Sequence, residues 1–485
     1  MDRTMINPIV FNRKPVKQKV FAYFYFMAIT ILIGWVLFSC IINDPYDDRY
    51  SALILLPIIY GVFNIIAFFN VKKLNLRTNI LFFLFHSMLF VQSVLAPYYL
   101  WRLGSPAIFR SSIGENIGMA VELRIYEILI LYLYFLLSSK GNADLFYEGN
   151  SQTINNGNKI DRCVFLIFSL CFALLTLYII NPGVIKLYRL CTEFFNEEFT
   201  GFNTNIVIAQ YSSSLIGKFT IVTFRYIYNI SRVVFPCCCA VILKEKKCKR
   251  GYVVLFTLMI IFLVNFLFMD DTLAYSISYS LVDLLFLSII LKDFTIVKNT
   301  FITIFLLVCA YFTSRFILTN TGKSGAQTDV YISKILESYF SGTTNIAASI
   351  NLPNDDFFVR IKYFSYEILR GVPYASTIFG LDKTSLGVYF NKINSSVGQI
   401  VPTLGASFYY FGSVLSPTIP FVLLITAQKS YKKIYNAKSY LKTMGFITIC
   451  IYCILGIGMY SLEITSVGIF SVAVPLIILG AIIKV

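Results

Sequence analysis

Val20-Phe-Ala-Tyr-Phe-Tyr-Phe-Met-Ala-Ile-Thr-Ile-Leu-Ile-Gly-Trp-Val-Leu-Phe-Ser-Cys-Ile-Ile42 contains no charged residue. A helix needs about 20 mostly apolar residues to cross the hydrocarbon core of a bilayer, so this run is long enough by itself. Arg3, Arg13, Lys14, Lys17 and Lys19 precede it. The stretch is too long for the core of a secretory signal and lacks a small-x-small cleavage site. It is expected to stay as a first spanning helix.

Similar runs recur at 51–70, 80–100, 121–139, 163–181, 219–243, 252–269, 272–291, 300–318, 404–427, 443–460 and 464–483. Composition agrees. Of 485 residues, 57% are apolar, 17% aromatic and 14% charged, against about 25% charged in a soluble domain. A soluble chain of this size would need polar surfaces on two or three domains, which this composition cannot supply, and it is far too apolar to be disordered. The sequence predicts an all-α, polytopic integral membrane protein of about 12 transmembrane helices, one transmembrane domain over 1–485.

The net charge of +16 fits topology better than nucleic-acid binding, because cytoplasmic loops collect Lys and Arg. No nucleic-acid motif is present, and no nucleic-acid partner is expected. The clusters Lys244–Arg250 and Lys429–Lys433 fall on the same predicted side as the basic N-terminus. The N- and C-termini are therefore expected in the cytoplasm. Two outer loops are long, 181–218 and 319–403, and loops of that length are usually functional. In the large outer loop, Val330–Phe340 and Phe357–Arg370 read as short amphipathic helices. Phe357, Phe358, Tyr363, Phe364 and Tyr366 suit either a membrane interface or the small core of a folded cap.

Several charged residues stand where charge is costly. Arg225 and Arg232 lie two turns apart on one face of the sixth predicted helix, with Tyr228 between them. Each arginine at membrane depth costs at least about 2.5 kcal/mol, so a partner is required: an anionic headgroup matched by the guanidinium forks, or Glu127 or Asp283 from other helices. Arg315 ends the ninth predicted helix. Arg360 and Arg370 lie in the large loop, and ten residues separate Arg360 from Gly371. Among outer carboxylates, Asp355 and Glu367 are candidate general bases, Glu367 falling two turns from Arg360.

The eleven cysteines lie mostly within predicted helices, so no disulfide framework is expected, and Cys450-x-x-Cys453 reads as small packing residues. His86 is the single histidine and falls inside the third predicted helix, where a polar residue is either functional or satisfied by a neighbour. No zinc-ligand spacing and no phosphate-binding glycine loop occurs. No metal and no cofactor is expected.

Gly398-Gln-Ile-Val-Pro-Thr-Leu-Gly-Ala-Ser-Phe-Tyr-Tyr-Phe-Gly412 leads from the large loop into the tenth predicted helix. It resembles the segment that follows the large outer loop in bacterial O-antigen and capsular repeat-unit polymerases of the Wzy type, with Pro402, Thr403, Phe411 and Gly412 as the matching positions. Tyr339-Phe-Ser-Gly-Thr-Thr-Asn345 resembles the Tyr-x-x-Gly element early in that loop. Arg370-Gly-Val-Pro-Tyr374, followed by Gly380, resembles its later Pro/Gly element. The likeness covers about residues 310–412. One departure stands out: many relatives carry a Glu shortly after the Pro-Thr pair, where this chain has Gly405, Ala406 and Ser407.

The resemblance implies a multi-pass enzyme of the bacterial cytoplasmic membrane. Its substrate would be oligosaccharide linked to undecaprenyl pyrophosphate. The growing glycan is transferred from that carrier to the next lipid-linked repeat unit at the outer face. Membrane lipids, a chain-length regulator and a flippase of the same pathway are the implied partners. Arg225, Arg232, Arg315, Arg360, Arg370, Tyr228, Pro402 and Thr403 are then the expected substrate-binding residues. Two alternatives share much of this pattern: a flippase or transporter of lipid-linked oligosaccharide, and a glycan ligase. A related ligase would carry a His in the large loop, and this loop has none.

Overall fold

The computed structural model describes residues 16–42, 47–70, 80–109, 111–139, 215–267, 273–291, 296, 299, 325–340, 342–379, 385–437 and 439–482. Among these, every regular element is a helix, as the apolar periodicity requires. Five helices are long and apolar enough to cross a membrane: Ala22–Ile42, Asp48–Phe69, Ile80–Leu103, Tyr440–Gly458 and Leu462–Ile482. Arg250–Asn265 and Tyr275–Ile290 are shorter apolar helices. The expected spans at 163–181 and 300–318, most of the first long loop, and Arg315 lie outside the described residues.

In chain order, α1 is Val16–Ile42, α2 Leu55–Phe69, α3 Ile80–Leu103, α4 Ile117–Ser139, α5 Leu215–Glu245, α6 Arg250–Phe262 and α7 Leu273–Ile290. The large loop then contributes α8 Gly325–Tyr339, α9 Thr343–Ile350, α10 Phe357–Gly371, α11 Ala375–Phe379 and α12 Leu386–Ile393. The chain ends with α13 Thr403–Phe411, α14 Thr418–Asn436, α15 Tyr440–Gly458 and α16 Leu462–Ile482.

In α1, Ala22, Phe26, Ile29, Ile33, Val36 and Cys40 are buried, while Phe24, Ile31 and Phe38 are exposed. Both stripes are apolar. Such a helix faces packed neighbours on one side and hydrocarbon on the other. The centre of the bundle is α15, which packs against α3, α7, α14 and α16. Its small residues permit close approach. A Cβ at Gly456 would stand 2.5 Å from Thr465 Oγ1, and one at Gly445 would stand 2.9 Å from the Ala473 carbonyl. Cys450 and Cys453 are buried in this helix, and Cys450 Sγ donates to the Ala427 carbonyl at 3.2 Å. His86 is buried on α3, bonded to Tyr132 and, at 3.0 Å, to Asn64 Oδ1, and stacked on Tyr60.

The two basic clusters share one end of the bundle. Lys244 Nζ donates to the Ile290 carbonyl, the Phe286 ring meets Tyr440, and Lys433 stands 5.7 Å from the Phe446 ring. The helices α8–α13 gather at the opposite end, where Thr403 Oγ1 donates to the Gly456 carbonyl near the close of α15. Val330–Phe340 and Phe357–Arg370, expected as short helices, are α8 and α10.

One expected span is corrected. Residues 404–427 do not form a continuous helix. The chain breaks between α13 and α14, where Gly412 takes φ 83°, a left-handed conformation that side chains disfavour. Ser413–Pro417 then reverse the chain, and Ser407 Oγ donates to the Leu415 carbonyl to hold the break. Irregular backbone of this kind is stable in a membrane protein only where protein groups satisfy it.

Candidate functional site

Segments 339–345 and 398–412 meet at this end, while 370–374 closes α10 against α16 and α5. Asn345 at the start of α9 donates through Nδ2 to the Ile400 carbonyl, just before α13, at 3.0 Å. Helix α9 packs on α13, closely enough that a Cβ at Gly405 would fall 2.3 Å from Ser349 Oγ. Helix α10 packs on α13 and on the first turns of α16. Its Phe364 ring meets Tyr410 at 5.4 Å and Phe411 at 5.5 Å. The exposed Phe357 and Phe358 are on the same helix. Helix α10 therefore packs its inner face, with Tyr363, Phe364 and Ile368, onto the main core and carries Phe357 and Phe358 exposed at its start.

Tyr409 and Tyr410 are successive on α13, so they project about 100° apart and reach different carboxylates. Tyr410 Oη donates to Glu367 Oε2 at 2.8 Å, and Tyr409 Oη donates to Asp355 Oδ2 at 2.6 Å. Arg370, one turn beyond Glu367, pairs with Glu463 of α16 at 2.6 Å. Ser466 Oγ donates to the Glu367 backbone carbonyl at 2.7 Å. The result is a polar seam joining α10, α13 and α16.

Burial and the neighbouring Glu463 push the Glu367 carboxyl up to about 8 from its ordinary 4.5, against the lowering effects of the Tyr410 hydrogen bond and of Arg370. The folded chain thus binds this proton more tightly than the unfolded chain does. The stability it contributes is fully present below about pH 4.5 and is lost as the pH rises through 8. Unfolding of the detergent-solubilised protein is expected to show a fall of roughly 4 kcal/mol between pH 5 and pH 9. Glu367→Gln should flatten that profile. An equal slope in both proteins would remove Glu367 as its source.

A second carboxyl anchors the loop elsewhere. Glu337 on α8 accepts the Ala107 and Ile108 backbone N–H groups and the Ser333 hydroxyl, with burial pushing it up to about 7. Arg102 and Asp329 pair beside it at 2.8 Å. These contacts fix α8 to the end of α3.

Arg232 is in a different place. It is fully buried on α5. It donates to Asn265 Oδ1 at 3.2 Å and to Ser276 Oγ at 2.9 Å, and lies over the Tyr279 ring at 4.6 Å. Asn265 Nδ2 in turn donates to the buried Asp283 at 3.1 Å. The guanidinium is committed to protein groups of α6 and α7, close to the Asp283 partnership the sequence offered as one alternative. The other alternative, Glu127, pairs with Arg124 of its own helix. Arg232→Ala is expected to cost about 3–5 kcal/mol, as uncompensated buried charge does, and to lower membrane abundance. Arg232→Ala with Asp283→Ala should recover much of that loss in a thermal unfolding assay. No recovery would show that the two do not share one network.

Of the other expected site residues, Asp355 and Arg360 meet Tyr409 and Glu367 meets Tyr410 along the α10–α13 junction, while Arg370, at the far end of α10 and about 20 Å from Asp355, pairs with Glu463 of α16. Pro402 caps α13 and Thr403 bonds α15, so both are buried anchors of the motif rather than open contact groups. Glu367 is likewise under the surface, at 1% exposure, which suits holding Tyr410 in place better than touching a substrate hydroxyl. Arg225 and Tyr228 are on α5, at positions whose side chains lie outside the described residues, as does Arg315. Nothing in the sequence pattern singles out Tyr389, Tyr409, Tyr410 or Glu463.

No family model, no curated protein and no solved structure matches the chain.

Proposed function

We propose that this chain polymerises lipid-linked oligosaccharide repeat units at the outer face of a bacterial cytoplasmic membrane. One observation carries the reading: two of the segments resembling polymerase motifs, 339–345 and 398–412, pack together at the end of the bundle opposite the basic clusters, and the third begins at Arg370 in the polar seam beside them. The positive-inside tendency makes that end the outer one.

The chemistry follows from the groups present. The donor glycan is joined through its anomeric carbon to a pyrophosphate on the lipid carrier. An acceptor hydroxyl attacks that carbon, the bond to the pyrophosphate oxygen breaks, and the electron pair leaves with the pyrophosphate. Arg370 stabilises the charge that develops there. The acceptor proton passes to a carboxylate beside that arginine, for which Glu463, 29% exposed and paired with Arg370, is the accessible candidate; Asp355, before the opposite end of α10, is about 20 Å away. The donor is already activated, so the transfer needs no nucleotide.

Deleting the gene in its host tests the reading. Surface glycan reduced to single repeat units, with repeat units still delivered to the outer face, is the expected result. Repeat units trapped on the cytoplasmic leaflet would identify a flippase instead, and long chains accumulating on the carrier would identify a ligase. Cysteines introduced near Asp355 should react with an impermeant thiol reagent from outside intact cells. Reaction from the cytoplasm alone would invert the topology.

A further inference from the structure

Beside the polar seam, on the open side of the loop helices, three tyrosines surround Asp355. Tyr363 of α10 and Tyr389 of α12 stack face to face, with centroids 5.6 Å apart and planes 11° apart. Tyr409 of α13 stands edge-on to Tyr363 at 6.3 Å and donates to Asp355 at 2.6 Å. Tyr363 and Tyr389 are half-buried, and Asp355 and Arg360 are half-open with them. Arg360 gives one N–H to the Tyr409 carbonyl at 3.3 Å, while its Nε, shielded from solvent, has no hydrogen-bond partner. Four elements therefore bring together flat aromatic faces, a carboxylate that accepts and a half-open guanidinium that donates.

That combination suits one ligand class. A pyranose ring has a face of C–H groups, weakly positive, which packs on the negative face of an aromatic ring. Its rim carries hydroxyls that need both acceptors and donors. A lipid chain would use the rings and leave the charges unmatched. A bare phosphate would use Arg360 and be repelled by Asp355. Binding sites of this kind fix orientation through a few placed polar groups on an otherwise apolar lining.

We propose that Tyr363, Tyr389, Asp355 and Arg360 form a sugar-binding subsite that seats one pyranose of the acceptor glycan away from the reacting bond, ring face on the tyrosine pair and hydroxyls on Asp355 and Arg360. The assignment to the acceptor rests on the polymerase reading. The assignment to a pyranose rests on the site alone. Tyr389 is a specificity residue here: it sets which ring face is accepted, and the substrate touches it directly.

Saturation-transfer NMR on the full chain in lipid nanodiscs tests this. The probe is the carrier-free repeat-unit oligosaccharide cut from the host's own surface glycan. Saturation should reach the C–H protons of one pyranose ring of the repeat unit. Tyr389→Leu should weaken binding about tenfold, the scale of one lost aromatic contact, and Arg360→Gln should weaken it similarly. Tyr389→Trp, which widens the plate, should keep or tighten binding, an outcome that misfolding cannot produce. Absence of transfer to the native chain, or equal transfer in Tyr389→Leu, would overturn the subsite. The two readings fail separately. Long glycan lost on gene deletion without oligosaccharide binding would retain the polymerase and reject the subsite. Tyrosine-dependent binding with long glycan unaffected by deletion would do the reverse.

Discussion

The double variant Arg370→Gln/Glu463→Gln is expected to insert and fold normally and to leave no long glycan chains. The pair is the main charged contact between α10 and α16, at 2.6 Å, with the arginine side chain 9% exposed and the glutamate 29%. Arg370→Gln alone is a poor test. It would leave Glu463 unpaired close to Glu367, at a cost of roughly 1–3 kcal/mol, less than for a fully buried pair because Glu463 is partly open to solvent. Lost activity would then be confounded with lost fold. Removing both charges together keeps the packing and avoids the orphaned carboxylate. If Arg370 stabilises the departing pyrophosphate, the double variant should lose about 10²–10³-fold in chain extension with unchanged membrane abundance and melting temperature. If long chains persist, Arg370 serves only to hold α10 on α16, and the anionic end of the substrate lies elsewhere, with Arg225 the next position to test.

Much of this architecture was legible because hydrophobic length is a strong signal. The runs at 20–42, 51–70, 80–100, 443–460 and 464–483 each reappear as a helix able to cross a membrane, since an apolar run of that length has few other ways to satisfy its backbone. The run at 404–427 misled for the same reason. Hydropathy is blind to backbone conformation, and Gly412-Ser-Val-Leu-Ser-Pro417 is apolar enough to hide a turn. The Gly, Ser and Pro positions are the turn chemistry that marks the break.

The site was legible only in part. Arg360, Arg370, Asp355 and Glu367 could be picked out as charges in a loop too long to be idle. Their partners could not. Glu463 is 93 residues from Arg370, and nothing in local spacing joins them. Arg232 and Arg370 both read as substrate-binding arginines, yet one is held inside the bundle by Asn265, Ser276 and Tyr279 and the other pairs with Glu463 at the loop end. Which partners each arginine takes depends on tertiary packing, and sequence periodicity carries no information about that.

Gly371→Val is expected to disable the protein more severely than any charge removal, because it acts on the joint that every group of the seam depends on. A Cβ at this position would lie 2.5 Å from both the carbonyl carbon and the carbonyl oxygen of Ser466. Those are backbone atoms of α16, inside a helix, and they cannot rotate away as a side-chain tip could. Helix α10 must therefore shift outward. That shift would break the Ser466 hydroxyl bond to the Glu367 carbonyl and loosen both the Arg370–Glu463 pair and the Tyr410–Glu367 bond. Overpacking costs about 1–3 kcal/mol, and each hydrogen bond lost adds about 0.5–1.5 kcal/mol. Proteolysis of the loop in intact cells or proteoliposomes should become at least tenfold faster, while the membrane helices stay protected. Gly387→Ala supplies the contrast. There a Cβ would have only Ser385 Oγ near it, at an ordinary 3.6 Å, so helix propensity should make the change neutral or stabilising by up to about 1 kcal/mol. Equal protease resistance in Gly371→Val and the native chain would mean that α10 is not seated on α16 through this contact. The seam would then have to be held by its charges alone.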